Sequence, residues 1–171
     1  FCIENFKTIN FIKMQIRKSF VFLLVSLFLV SCDKEDDAGG GGSDSFECSI
    51  DGSAHKISGQ YAFAQKVAAD IFAIYGSEDQ TKKGFKNVYI SLKAEPAVGK
   101  YDLGVDKAGS GNILETGTGT LFNSNFPGGS GTLDVTEKSA SRIKGTFSFI
   151  GVDAAKKKKN VTNGKFDVKL K

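Results

Sequence analysis

Tryptophan is absent from this 171-residue chain, and methionine and histidine occur once each. Without Trp, a sugar-stacking platform would have to rest on four tyrosines and a few exposed phenylalanines. The one methionine is Met14, and Phe1 is no ordinary initiator. Residues 1–13 therefore read as upstream translation or a misplaced start and are set aside from fold reasoning. Cysteine is scarce as well. Cys2 lies in that leader, Cys32 sits at a processing site discussed below, and Cys48 is left alone. No internal disulfide framework can form, although an exported protein would be permitted one. A real positive surplus is also lacking. The whole chain carries a formal charge of +4, but residues 32–171 hold 19 basic and 18 acidic side chains. Nucleic acid demands concentrated positive charge, so that class of partner is excluded. No stretch carries a helical stripe.

What is present begins with an address. Met14-Gln-Ile-Arg17-Lys18 is a short basic segment, and Phe20 to Val30 is an apolar run broken only by Ser26. Eleven helical residues rise about 16 Å, roughly half of a ~30 Å hydrocarbon core. The run is too short for a comfortable span and suits a signal-peptide core over residues 14–31. Leu29-Val30-Ser31-Cys32 closes it and resembles the bacterial lipobox. That resemblance implies cleavage before Cys32 and a diacylglyceryl group on its sulfur. Two or three acyl chains, at ~0.8 kcal/mol per buried methylene, anchor stably in the bilayer where one would be marginal. Lys34-Glu35-Asp36 follows and resembles the surface-export signal of lipoproteins in the Bacteroidota, which implies an outer-membrane protein facing the cell exterior. Residues 32–45, acidic and then Gly-rich, read as a flexible tether.

From Phe46 to Lys171 the pattern changes to period two. Phe46, Cys48 and Ile50 alternate with polar residues, as do Val88, Ile90 and Leu92, and Phe166, Val168 and Leu170. Such alternation predicts strands with one dry and one wet face. Asp70 to Tyr75 is apolar on both faces and predicts a central strand. Turn signals at Asp51-Gly52, Gly76-Ser77, Lys82-Lys83-Gly84, Gly109-Ser110-Gly111, Pro127-Gly128-Gly129 and Asn163-Gly164, the last at a strand start, divide the segment into about nine or ten strands. The expected fold is all-β: an antiparallel two-sheet sandwich, or alternatively a closed lipocalin-like barrel. Strands near 131–137, 142–150 and 161–170 should close it as an antiparallel meander.

Phe46-Glu-Cys-Ser-Ile-Asp-Gly52, Gly131-Thr-Leu-Asp-Val-Thr136, Ile143-Lys-Gly-Thr-Phe-Ser-Phe149 and Val161-Thr-Asn-Gly-Lys-Phe-Asp-Val168 together resemble the opening and closing segments of small secreted all-β lipoproteins of the Bacteroidota, catalogued as a domain of unknown function. The resemblance implies a lipidated, secreted β-domain and carries over no catalytic residue and no cofactor.

Several side chains invite chemical readings. A two-residue turn at Asp51-Gly52 would set Cys48 opposite His55, a pairing a thiol hydrolase could use. Parity with Phe46 and Ile50 predicts instead that Cys48 packs in the core, and no third orienting group is identifiable. Asp102, Asp106 and Glu115 flank a Gly-rich loop and could hold calcium, although their spacing is not that of an EF-hand. Gly117-Thr-Gly119-Thr lacks the lysine of a phosphate loop and reads as a turn. Lys156 to Lys159 should lie where the last hairpin turns, as a solvated tip or a contact for anionic lipids or acidic glycans. Tyr61, Tyr75 and Tyr101 share parity with apolar neighbours and are expected in the core. Tyr89, Phe85 and Phe126 are the candidate ligand contacts. The leading expectation is a non-enzymatic, cofactor-free surface module. It would meet the bilayer through acylated Cys32 and bind a glycan or an envelope protein. The alternatives are a carrier of a small apolar ligand and the Cys48/His55 hydrolase.

Overall fold

A computed structural model describes residues 43–171. Cys32, Lys34, Glu35 and Asp36 lie outside the described residues. Eleven strands form one sheet: β1 Ser45–Ile50, β2 Ser53–Ser58, β3 Ala62–Ala68, β4 Ile71–Ser77, β5 Lys86–Leu92, β6 Gly99–Leu103, β7 Gly109–Glu115, β8 Thr120–Asn123, β9 Ser130–Lys138, β10 Arg142–Val152 and β11 Lys158–Leu170. One 3-10 turn, Gly59–Tyr61, joins β2 to β3.

The fold is all-β, and of the two closures that alternation allows it adopts the barrel. Eight strands form the ring in the order β3-β4-β5-β7-β6-β9-β10-β11. The ring shuts where β11 pairs in parallel with β3, Lys169 opposite Phe63 and Leu170 opposite Ala64. A second parallel contact, Leu103 opposite Gly109, joins β6 to β7. The β1–β2 hairpin occupies the same flank of β11 as β3, with Ser45 opposite Asp167 and Ile50 opposite Val161. Strand β8 links β7 to β10. β9, β10 and β11 form the expected antiparallel meander.

Asn163-Gly164 is not the strand start expected from its sequence. It is a bulge inside β11, with Asn163 at φ 54°. The registers with both β10 and β1 shift there. Asn tolerates the left-handed region, and a bulge bends its strand, which a closed sheet requires.

Inside, Ile74 and Ile90 sit opposite each other across β4 and β5, with Val88, Ile113, Leu133 and Val135 beside them in the buried core. Among them sits a group of aromatic rings. Phe147 lies 4.9 Å from Phe46, 6.3 Å from Phe166 and 6.4 Å from Phe149, centroid to centroid. These rings fit because glycines leave room. A Cβ on Gly76 would overlap the Phe46 ring, and one on Gly111 would overlap Phe149. Strand β4 is buried along most of its length, as its two-faced apolarity predicts, but Tyr75 is not core. Parity with inward Ile74 sends Tyr75 outward. Tyr61 and Tyr101 are also only half-buried, with hydroxyls donating to Asp79 Oδ1 (3.2 Å) and the Ala97 carbonyl (2.9 Å).

The fold reaches back into the expected tether. Asp44 Oδ1 accepts from Arg142 Nη1 and from the Lys169 backbone N–H, both at 3.0 Å. The Asp44 carbonyl accepts from Gly59 N–H at 2.9 Å. Arg142 also holds Asp167, with Nη2 donating to Oδ1 at 2.6 Å. One buried guanidinium thus ties the first residues of the domain to its last strand.

Two outcomes are expected in urea denaturation. Gly111→Ala should lose about 1–3 kcal/mol through overpacking against Phe149. Arg142→Ala should lose roughly 2 kcal/mol, since two partly solvated carboxylates lose their shared donor. Wild-type stability in either variant would contradict this packing.

Candidate functional site

Asp51 and Gly52 both have positive φ, 49° and 85°, as the tight hairpin turn requires. The turn sets Cys48 opposite His55, yet the two do not act on each other. His55 Nε2 donates to the Gly76 carbonyl at 3.1 Å, and Nδ1 faces Glu78 Oε1 at 3.6 Å. Cys48 is 6 % exposed and belongs to the core cluster. Burial pushes its thiol up to about 12. A thiol needs its proton removed to attack, so this environment suits packing, as the parity of Cys48 predicts.

The three acids of the calcium reading do not converge. Asp102 belongs to β6, Asp106 to the following turn at φ 58°, and Glu115 to the far end of β7, about 20 Å of strand away. Glu115 pairs instead with Lys159, and Asp102 with Lys107 at 3.9 Å. Gly117-Thr118-Gly119 lies in the β7–β8 turn, as expected, and Thr120 opens β8.

Of the three aromatic candidates, Tyr89 is committed to a stack. On the outer wall Phe63, Tyr75 and Tyr89 are direct cross-strand neighbours. Their rings stack at 4.9 and 5.6 Å, with interplanar angles of 29° and 27°. Lys171 Nζ lies 3.9 Å from the Phe63 centroid and covers the free end. A sugar needs an open ring face, and here the faces meet one another. Burial raises the Tyr89 phenol above its ordinary range, and Tyr75 adds to the shift. Phe85 is half-buried just before β5, its carbonyl accepting from Thr116 N–H at 3.1 Å and from Thr116 Oγ1 at 2.7 Å. Phe126, 37 % exposed, lines a groove.

That groove encloses about 650 Å³ between the β8–β9 and β10–β11 loops. Phe126, Pro127, Val152 and Ala154 form its apolar part, and Lys156 and Lys158 contribute its cations. Alternate residues of a strand share a face, so Ser148, Ile150 and Val152 lead along β10 into a second groove of about 430 Å³. Ser130, Thr132, Asn160 and Thr162 line this one. Ile150 pairs with both Ser130 and Asn160, and Val152 pairs with Lys158. The two grooves adjoin along the outer face of β10, one hydroxyl-rich and the other apolar with lysines, and are together called the trough. Phe126 was legible from its place beside the Pro127-Gly128-Gly129 turn signal. The hydroxyl row was missed because its members lie on three strands, and its only sequence signal was polar alternation.

Comparison with protein-family models, with curated proteins and with solved structures finds no match to this chain.

The Cys48 environment makes a testable statement about pH. Below the ordinary thiol value of 9.0 folded and unfolded states both keep the proton, and the contribution to stability is complete. As pH climbs toward about 12 only the unfolded thiol ionises, so stability is lost with rising pH. Urea midpoints measured between pH 8 and 11 should fall more steeply for wild type than for Cys48→Ala. Folded protein should also resist iodoacetamide until denaturant is added. Equal slopes with fast labelling of the folded protein would refute the buried-thiol account.

Proposed function

We propose that the chain is an outer-membrane lipoprotein, acylated at Cys32 and facing the cell exterior, whose barrel is a non-catalytic binding module. The observation that carries this reading is the trough on the outside of a barrel whose interior is filled by side chains. Phe46, Phe147, Phe149 and Phe166 take up the space a carried ligand would need, which favours binding on the wall over binding within. The position of the trough supports the same reading. Ser45, where a tether from Cys32 joins the barrel, lies beside Asp167. Asp167 is nine residues along β11 from Lys158, about 30 Å at ~3.3 Å per residue. The basic end of the trough is therefore remote from the strand end at which the chain enters the barrel, an arrangement that suits a module presented to solutes outside the cell. Loops and outer faces carried on a rigid β-scaffold are common binding surfaces.

The test is mass spectrometry of the protein from its native host, together with protease treatment of intact cells. An N-terminal peptide beginning at acylated Cys32 and a barrel digested from outside are expected. Cys32→Ala should abolish the lipid and release the protein from membranes. An unmodified peptide, or a protein confined to the cytosol, would overturn the proposal.

A further inference from the structure

We infer that the trough along β10 is a binding site for an acidic oligosaccharide, a chain of sugar rings bearing carboxylate or sulfate groups. The inference rests on the binding-module reading above and names the ligand class of that module.

Three observations on the same surface point to this class. The first is an excess of positive charge, with Lys156 and Lys158 lining the groove against the single carboxylate of Asp153. Among the described residues Lys156, Lys157 and Lys158 form no ion pair, whereas Lys159 is paired with Glu115 and lies over the Phe122 ring. Asp153 lines the groove too, but its Oδ1 is turned into the loop and accepts from Lys157 N–H at 2.8 Å. The loop is held further by Lys156 N–H on the Asp153 carbonyl and Asp153 N–H on the Lys157 carbonyl, both 3.0 Å. Lys156 itself adopts φ 64°. A non-glycine residue in the left-handed region is a local cost that the surrounding bonds sustain. Lys156 is thus presented on a fixed turn, and Lys158 as the first residue of β11.

The second observation is Phe126, whose ring is not used in any aromatic pair among the described residues and is 37 % exposed. A pyranose has an apolar C–H face that lies well on such a ring. The third is the hydroxyl row. Ser130, Asn160 and Thr162 make no side-chain hydrogen bond among the described residues, and Thr132 and Ser148 share one weak contact of 3.4 Å. These groups can both donate and accept, as the equatorial hydroxyls of a sugar chain require. An acyl-chain ligand would satisfy the apolar end and leave the hydroxyl end unmatched. A neutral glycan would leave the lysines unmatched. An acidic oligosaccharide matches the whole length.

The experiment is isothermal titration of the full processed protein in detergent with oligogalacturonate, its methyl ester, a chondroitin sulfate oligosaccharide and laurate. Saturable binding of oligogalacturonate or of the sulfated oligosaccharide is expected, with the stronger of the two identifying the anionic group. The methyl ester should bind far more weakly, and added salt should weaken the acidic ligands. Lys156→Ala with Lys158→Ala should weaken binding by roughly tenfold, and the corresponding double Arg variant should restore it. Phe126→Ala should weaken it several-fold. All of these positions are exposed, so unchanged thermal unfolding checks that each variant folds. Failure of both acidic oligosaccharides to bind would overturn the inference. So would tighter binding of laurate, or affinity unchanged in the double Ala variant. None of these results touches the acylation and surface exposure of the protein, which stand or fall on the tests given for them.

Discussion

Aromatic rings packed against glycine backbone are the constraint on which the rest of this barrel depends. Eight strands enclose a space that side chains can just fill, and here phenylalanines fill it from β1, β10 and β11. Each ring lies where the facing strand carries no Cβ, as Gly76 does for Phe46 and Gly111 for Phe149. The arrangement explains why glycines stand inside regular strands, where they would otherwise weaken the sheet. It also fills the inside of the ring and bears on the proposed binding role. A barrel with a full interior has only its walls and ends to offer.

The walls are not equivalent. One side is closed by the Phe63–Tyr75–Tyr89 stack, whose rings face one another and end under Lys171. The other side, over β9, β10 and β11, is polar, shallow and open, and it ends in a lysine-bearing turn. The bulge at Asn163-Gly164 lies beside this open side and bends β11 along it. Packing within and access without are thus set by the same three strands, the meander that closes the chain.

Much of this was legible from residues alone. Alternation located Val88, Ile90 and Val168 inside, and Asp51-Gly52 placed Cys48 across from His55. Parity identified Cys48 as core, which its burial bears out. The rest was hidden for physical reasons. The closing bridge from Lys169 to Phe63 is a long-range parallel contact, and nothing local encodes it. A Tyr at the end of an apolar run can face either way, and only the register of Ile74 turned Tyr75 outward. Asn-Gly is a turn signal and a bulge signal at once. Asp44 looked like tether because its partners, Arg142 and Lys169, lie about a hundred residues away. The trough was half visible, since Phe126 and the lysine run stood out while Ser130, Ser148 and Asn160 resembled any wet strand face.

The claim beneath all of this is that the barrel has no room inside for a ligand. Diffraction from crystals of the protein pressurised with xenon would test it most directly, because xenon enters dry apolar cavities and scatters strongly. The account predicts no xenon among Phe46, Phe147, Phe149 and Phe166. A well-occupied xenon atom between those rings would contradict it and return the function to the interior.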